Sequence, residues 1–203
     1  MGTDFWLRVV ALVLGIVYMG VRFYYRSKAK KADERGTIGS GGISESKLRL
    51  GLMAVGGLGL NLLTVLWLIR PAWVAWSHLP LPIWLRWLGM VLGWAGVVLT
   101  FFVHRQLGNS FVPTLETKDE HALVTDGVYR WVRHPLYSTY FVHILASFLY
   151  VSNWLVGLCG LLYALVVIER VGHEEEMMVE QFGDAYRAYM ARTGRFVPRV
   201  KGV

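Results

Sequence analysis

Leu136-Tyr-Ser-Thr-Tyr-Phe-Val-His-Ile-Leu-Ala-Ser-Phe-Leu-Tyr-Val151 is followed by Ser152-Asn153 and then by Trp154-Leu-Val-Gly-Leu-Cys-Gly-Leu-Leu-Tyr-Ala-Leu-Val-Val-Ile168. Two apolar runs joined by two polar residues leave room for nothing wider than a tight helical hairpin. Beyond Ile168 the chain turns abruptly to Glu169-Arg170, so the second arm is expected to continue as a helix out of the bilayer. Working outward, three more apolar runs precede the hairpin: Phe5–Tyr25, Leu48–Ile69 and Ile83–Val103. A hydrocarbon core of about 30 Å takes about 20 helical residues to cross, and these runs have that length. The reading is an all-α integral membrane protein with about five transmembrane helices and a C-terminal amphipathic cytosolic helix.

Composition supports this. The 203 residues are 55% hydrophobic and only 17% charged, against about 25% charged in an ordinary soluble domain. A net charge of +7 raises nucleic acid as a partner, but the cations lie in the gaps between apolar runs and not on a soluble basic face. They therefore read as topology signals. The segments 22–49, 104–133 and 170–203 hold eight, four and six Lys or Arg, against Arg8, Arg70 and Arg86 on the other side. The positive-inside rule puts the N-terminus outside and the C-terminus in the cytosol. The first run opens with Asp4 and ends in Arg22-Phe23-Tyr24-Tyr25-Arg26, which reads as a retained span and not a cleaved signal. The membrane is expected to be the plasma membrane of a prokaryote or the endoplasmic reticulum of a eukaryote. The chain reads as one membrane domain, with three spans and a basic loop in 1–103 and a second half, 104–203, that carries the chemistry. Oligomeric state leaves no signal.

Several chemistries are excluded. The lone Cys159 gives neither a disulfide nor a CxxC pair. His173-Glu174-Glu175-Glu176-Met177 misses the zinc spacing HExxH, and no metal is expected. Gly36-Thr-Ile-Gly-Ser-Gly-Gly lacks the Gly-Lys-Ser/Thr of a phosphate loop and reads as linker. Gly56-Gly57-Leu58-Gly59 sits inside an apolar run, so close helix packing fits it better than a dinucleotide fingerprint.

Three polar clusters remain, all on the expected cytosolic side. Leu123-Val-Thr-Asp-Gly127-Val-Tyr-Arg-Trp-Val-Arg133-His134-Pro135-Leu-Tyr137 has a turn at Asp126-Gly127 and a proline suited to the first turn of a helix. It places Arg133, His134 and Tyr137 at a helix N-terminus, a setting for an anionic group. Glu169 to Glu176 sets carboxylates directly beyond the last span, where ionisable groups point to function. If the helix continues, Glu175, Val179, Phe182, Tyr186 and Tyr189 share one stripe. Thr193-Gly194-Arg195-Phe196-Val197-Pro198, alone, is a terminal turn.

Taken in order, Leu-Val-x-x-Gly-x-Tyr-x-x-x-Arg-His-Pro-x-Tyr, a hydrophobic hairpin, Glu-Glu, Phe-Gly-x-x-Tyr-x-x-Tyr and an Arg-containing Pro ending resemble the isoprenylcysteine carboxyl methyltransferase and phospholipid methyltransferase superfamily. The resemblance covers roughly 104–198. It implies an S-adenosylmethionine site built from membrane helices, with Leu123, Val124, Gly127, Arg133, His134 and Tyr137 at the cofactor and Glu174, Glu175 and Arg195 as catalytic residues. It also implies a lipid or lipidated acceptor. Thr139 stands where many relatives carry Gly, so the acceptor is left open between a lipid carboxyl, a phospholipid amine and a small hydrophobic thiol or amine. For an amine acceptor, Glu174 or Glu175 with a burial-raised pKa is the expected base. Two rival readings stay in view. One is an NADPH-dependent membrane sterol or enone reductase, which commonly has Asn in place of Leu136 and Trp in place of Tyr186. The other is an inactive membrane interaction protein.

Overall fold

The computed structural model describes residues 3–34, 46–107 and 123–199. The Gly36–Gly42 linker and Lys118 lie outside them. The described chain forms six α-helices: α1 Thr3–Glu34, α2 Lys47–Ile69, α3 Ile83–Leu107, α4 Pro135–Val151, α5 Trp154–Phe182 and α6 Asp184–Arg192. Short 3-10 turns occupy Pro71–Ser77 and Gly127–Arg130.

The helix ends follow from local chemistry. Ser46 caps α2 by accepting from Arg49 N at 3.2 Å. Pro135 opens α4, where its missing N–H costs nothing. The hairpin turn is as tight as its two polar residues require. Ser152 adopts the left-handed conformation at φ 59°, and the Asn153 side chain caps α5 by accepting from Leu155 N at 2.9 Å and Val156 N at 3.2 Å.

Among the described residues, four helices are long and apolar enough to cross a membrane: Asp4–Lys28, Lys47–Ile69, Ile83–Gln106 and Trp154–Phe182. α4, with 17 residues, is the shorter arm of the hairpin, about 26 Å at 1.5 Å per residue. Outward positions such as Ile16, Leu58, Val91 and Leu165 are apolar and more than half exposed, as a surface solvated by lipid should be.

α3 packs on α4 and α1, and α5 packs on α2 and α4. The glycines of α2 serve close packing, as their setting suggested: a Cβ on Gly56 would lie 2.8 Å from the Tyr163 backbone N of α5. The tightest core gathers Leu7, Ala11, Trp67, Met90, Ala146, Tyr150 and Val156 toward one end of the bundle. There Arg86 pairs with Asp4 at 2.6 Å and donates to the Tyr150 carbonyl. Asn153 donates to Val74 O at 3.1 Å and Ser77 Oγ at 2.8 Å, tying the hairpin turn to the α2–α3 connection. With that end locked, the polar clusters assemble at the other.

One expectation needs correction. The stripe from Glu175 to Tyr189 is not one continuous helix. Gly183, at φ 55°, ends α5 and starts α6 in a new direction. Glycine enters that backbone region without the Cβ clash other residues meet. Tyr186 and Tyr189 are nonetheless buried, because α6 folds back onto the bundle.

Candidate active site

The site is organised around one carboxylate. Glu175 lies on α5, about 31 Å along the helix from Trp154 at 1.5 Å per residue, hence beyond the hydrocarbon core. Its side chain is only 3% exposed. Oε1 accepts from Arg133 Nε at 2.8 Å and faces His134 Nε2 at 3.2 Å. Oε2 accepts from Arg195 Nε at 2.9 Å and from Arg195 Nη2. An ionised carboxylate can only accept, so a hydrogen bond here is one that His134 Nε2 donates.

Glu174 builds the second half. It accepts from the Tyr137 hydroxyl at 2.7 Å and from Arg170 Nε at 2.9 Å. Its other oxygen lies 3.7 Å from His134 Nδ1, so the imidazole stands between the two glutamates.

Backbone pairing delivers these side chains. Residues 131–134 pair with the C-terminal segment: Gly194 N donates to Trp131 O, Arg133 N to Gly194 O and His134 N to Arg195 O, all at 2.9–3.1 Å. Arg133 Nη1 also donates to the carbonyls of Met190 at 3.1 Å and Thr193 at 2.5 Å, and Ser138 Oγ donates to Phe196 O at 2.6 Å. Gly194 is required here, because a Cβ would run into the Val197 carbonyl oxygen. The third cluster is therefore a clasp over the first, not a free terminal turn.

Of the residues singled out from sequence, the structure brings together Arg133, His134, Tyr137, Glu174, Glu175 and Arg195. Gly127 supports them from the side. Its φ is +61°, and its turn is held by Val128 N donating to Gln106 Oε1 at 2.7 Å. Leu123 and Val124 lead into that turn, and Val124 is 47% exposed. Thr139 is accommodated without loss, being buried with its hydroxyl donated to Leu136 O at 2.8 Å. Arg170, Ser138 and Gln106 join the network although the motifs did not single them out. For Arg170 a signal existed in its i, i+4 spacing to Glu174. For the other two there was none.

For an amine acceptor a burial-raised pKa is expected of Glu174 or Glu175; at Glu175 the shift is downward. Burial pushes its carboxyl up, but the hydrogen bonds from His134, Arg195 and Arg133 outweigh burial and bring it down to about 2. A carboxylate held so firmly in its charged form is a poor proton acceptor near neutral pH. It holds the Arg133 and Arg195 guanidinium groups in place.

The donor set also suits a zwitterionic sulfonium cofactor. Glu174 Oε2 has acceptor capacity for an ammonium, and the Arg195 side chain, 40% exposed, keeps donors for a carboxylate. The Tyr137 and Phe196 rings flank His134 at centroid distances of 5.9 and 6.2 Å, offering aromatic faces to a positive sulfur. Among the described residues, no cluster of His, Cys, Asp or Glu is arranged to hold a metal ion.

Comparison with known proteins follows the same lines. Residues 87–180 match the model of the "Isoprenylcysteine carboxyl methyltransferase (ICMT) family". The chain is 32% identical over 136 residues to the protein-S-isoprenylcysteine O-methyltransferases of Rattus norvegicus and Homo sapiens, covering 64% of this chain and 47% of each relative. It is 34% identical over 101 residues to that of Schizosaccharomyces pombe, covering 47% of this chain and 42% of the relative. The chain thus spans about half the length of the curated relatives it matches. A solved structure of the eukaryotic intramembrane Ras methyltransferase ICMT superposes with a TM-score of 0.53 at 25% identity, covering 79% of this chain and 56% of the other.

Proposed function

We propose, from the match of residues 87–180 to the isoprenylcysteine carboxyl methyltransferase family model, that this chain is an integral membrane methyltransferase. It takes the methyl group from S-adenosylmethionine and gives it to the carboxylate of an isoprenylcysteine-like lipidated acceptor. The observation that carries the reading is the convergence of Arg133, His134 and Arg195 on Glu175, with Glu174 and Tyr137 alongside.

When bound, the cofactor supplies an electrophilic methyl on a positive sulfur. The chain's own residues orient the reactants, the main demand of an in-line displacement. Glu174 and Glu175 are the natural partners of an ammonium, and Arg195 and His134 those of a carboxylate. Leu123, Val124 and Gly127 would hold the nucleoside part. The lowered pKa of Glu175 bears on the acceptor. An ammonium acceptor must first lose a proton, and a carboxylate held near pKa 2 is ill suited to take it. A carboxylate acceptor needs no base. O-methylation, which asks no proton transfer of Glu175, is the reaction proposed.

The proposed topology sets the N-terminus outside and the site on the cytosolic face, with the cofactor arriving from water and the lipid from the bilayer. Titration of detergent-purified protein with S-adenosylhomocysteine, beside NADPH, tests the reading. Saturable binding of the first, lost in His134→Ala, is expected. Binding of NADPH alone would move the chain to the reductase class.

A further inference from the structure

Arg22 lies outside the matched stretch and outside every motif, on α1, about 27 Å along the helix from Asp4 at 1.5 Å per residue. That places it near the inner boundary of the membrane, where an arginine ordinarily reaches outward for headgroups and water. Arg26, one turn further on, is exposed in that manner. Arg22 instead turns into the bundle. Its Nη1 donates to the Tyr140 hydroxyl at 2.5 Å, and the guanidinium lies 5.0 Å from the centroid of the same ring.

Its electrostatic situation differs from that of its neighbours. Arg133, Arg170 and Arg195 each have a carboxylate, shared between Glu174 and Glu175. Among the described residues, no carboxylate lies within salt-bridge distance of Arg22. Its surroundings are aromatic and hydroxyl-bearing. Tyr140 meets Tyr137 at 5.9 Å and Tyr163 at 6.4 Å between centroids, and Tyr18, one turn back on α1, lies 4.1 Å from the His143 ring. Tyr137 in turn donates to Glu174. A guanidinium with no carboxylate within salt-bridge distance among the described residues thus stands two rings from the glutamate pair. An ionisable group at that depth is expensive and calls for a partner.

We infer that Arg22 anchors the carboxylate of the lipid acceptor, with the Tyr140 hydroxyl holding the guanidinium in place. The inference rests on the methyltransferase reading of the neighbouring site. A planar fork of donors matches a carboxylate and repels an ammonium, so Arg22 selects acid acceptors over amines. One acceptor oxygen stays on Arg22 while the other forms the new C–O bond. The methyl C–S bond breaks with its electron pair leaving on sulfur, and no proton moves.

The test compares binding of S-farnesylthiopropionate and its carboxamide by isothermal titration of the detergent-solubilised full chain. In the wild type the acid is expected to bind at least about tenfold more tightly than the amide, the order contributed by a charge-assisted hydrogen bond. In Arg22→Gln the ratio should fall to about one by the same argument, with S-adenosylhomocysteine affinity unchanged. No preference for the acid in the wild type, or a preference that survives Arg22→Gln, overturns the inference. Should Arg22→Gln fail to fold by tryptophan fluorescence, Tyr140→Phe decides: a reduced preference supports the anchor, and an unchanged one overturns it. An Arg22-dependent preference in a protein that binds no S-adenosylhomocysteine would keep the anchor and refute the methyltransferase reading.

Discussion

Arg195 Nε lies 2.9 Å from Glu175 Oε2, twenty residues further along the chain and on the far side of a helix break at Gly183. This contact closes the C-terminal clasp over the Arg133-His134 segment. Arg195→Lys keeps the charge but loses the fork, and S-adenosylhomocysteine affinity should fall about tenfold, the order of a charge-assisted hydrogen bond. Titration of the two proteins side by side measures it. Equal affinities would show that the fork is not used.

Glu175 neutralises a guanidinium that has little access to water. The Arg133 side chain is 9% exposed, so Glu175→Ala strands a buried guanidinium, at a cost of about 3–5 kcal/mol. A lower thermal midpoint in detergent is expected together with loss of methyl transfer. His134→Ala should abolish transfer with a smaller effect on the midpoint, because both arginine contacts to Glu175 survive it. Wild-type rates in either variant would remove that residue from the site.

Two glycines can be separated by their geometry. Gly194→Ala places a Cβ against the Val197 carbonyl and should loosen the clasp, reducing cofactor binding while the helical circular dichroism is retained. Gly127→Ala must keep φ near +61° and meet Gln106 Oε1 at 2.6 Å, at a cost of about 1–2 kcal/mol. Thermal unfolding reads that cost. An unshifted midpoint in Gly127→Ala would mean that this turn is not held as described.

The acid limb of stability should carry the signature of Glu175. Its folded pKa, about 2, is below the ordinary 4.5, so the unfolded chain binds the proton more readily. The contribution is fully present above the ordinary value and is lost as pH falls from there through the folded one. The thermal midpoint should therefore be insensitive to this group at neutral pH and drop in the acid window, with a shallower drop in Glu175→Gln. A matching drop in that variant would assign the acid limb to other carboxylates.

The sequence was most legible where one physical demand dominated. Apolar length marked the spans, and Ser152-Asn153 could make only a tight turn. The order Arg133-His134, Glu174-Glu175, Arg195 carried the site, although the clasp itself was hidden. Pairing of Gly194 with Trp131 and Arg133 depends on where α6 is sent by Gly183, and no local signal encodes that direction. The lowered pKa of Glu175 was not legible for the same reason: burial could be anticipated from its place after a span, but three converging donors could not. Arg22 looked like one more basic residue at a membrane edge. Only its inward turn to Tyr140 separates it from Arg26.

Carboxyl methylation of a lipidated acceptor is measured by transfer of a labelled methyl group from S-adenosylmethionine to an S-farnesylcysteine peptide by the purified protein. Incorporated label that alkali releases as volatile methanol, the mark of a methyl ester, is expected, and its absence in Glu175→Gln. Label that resists alkali, or none at all from protein that binds S-adenosylhomocysteine, would contradict it.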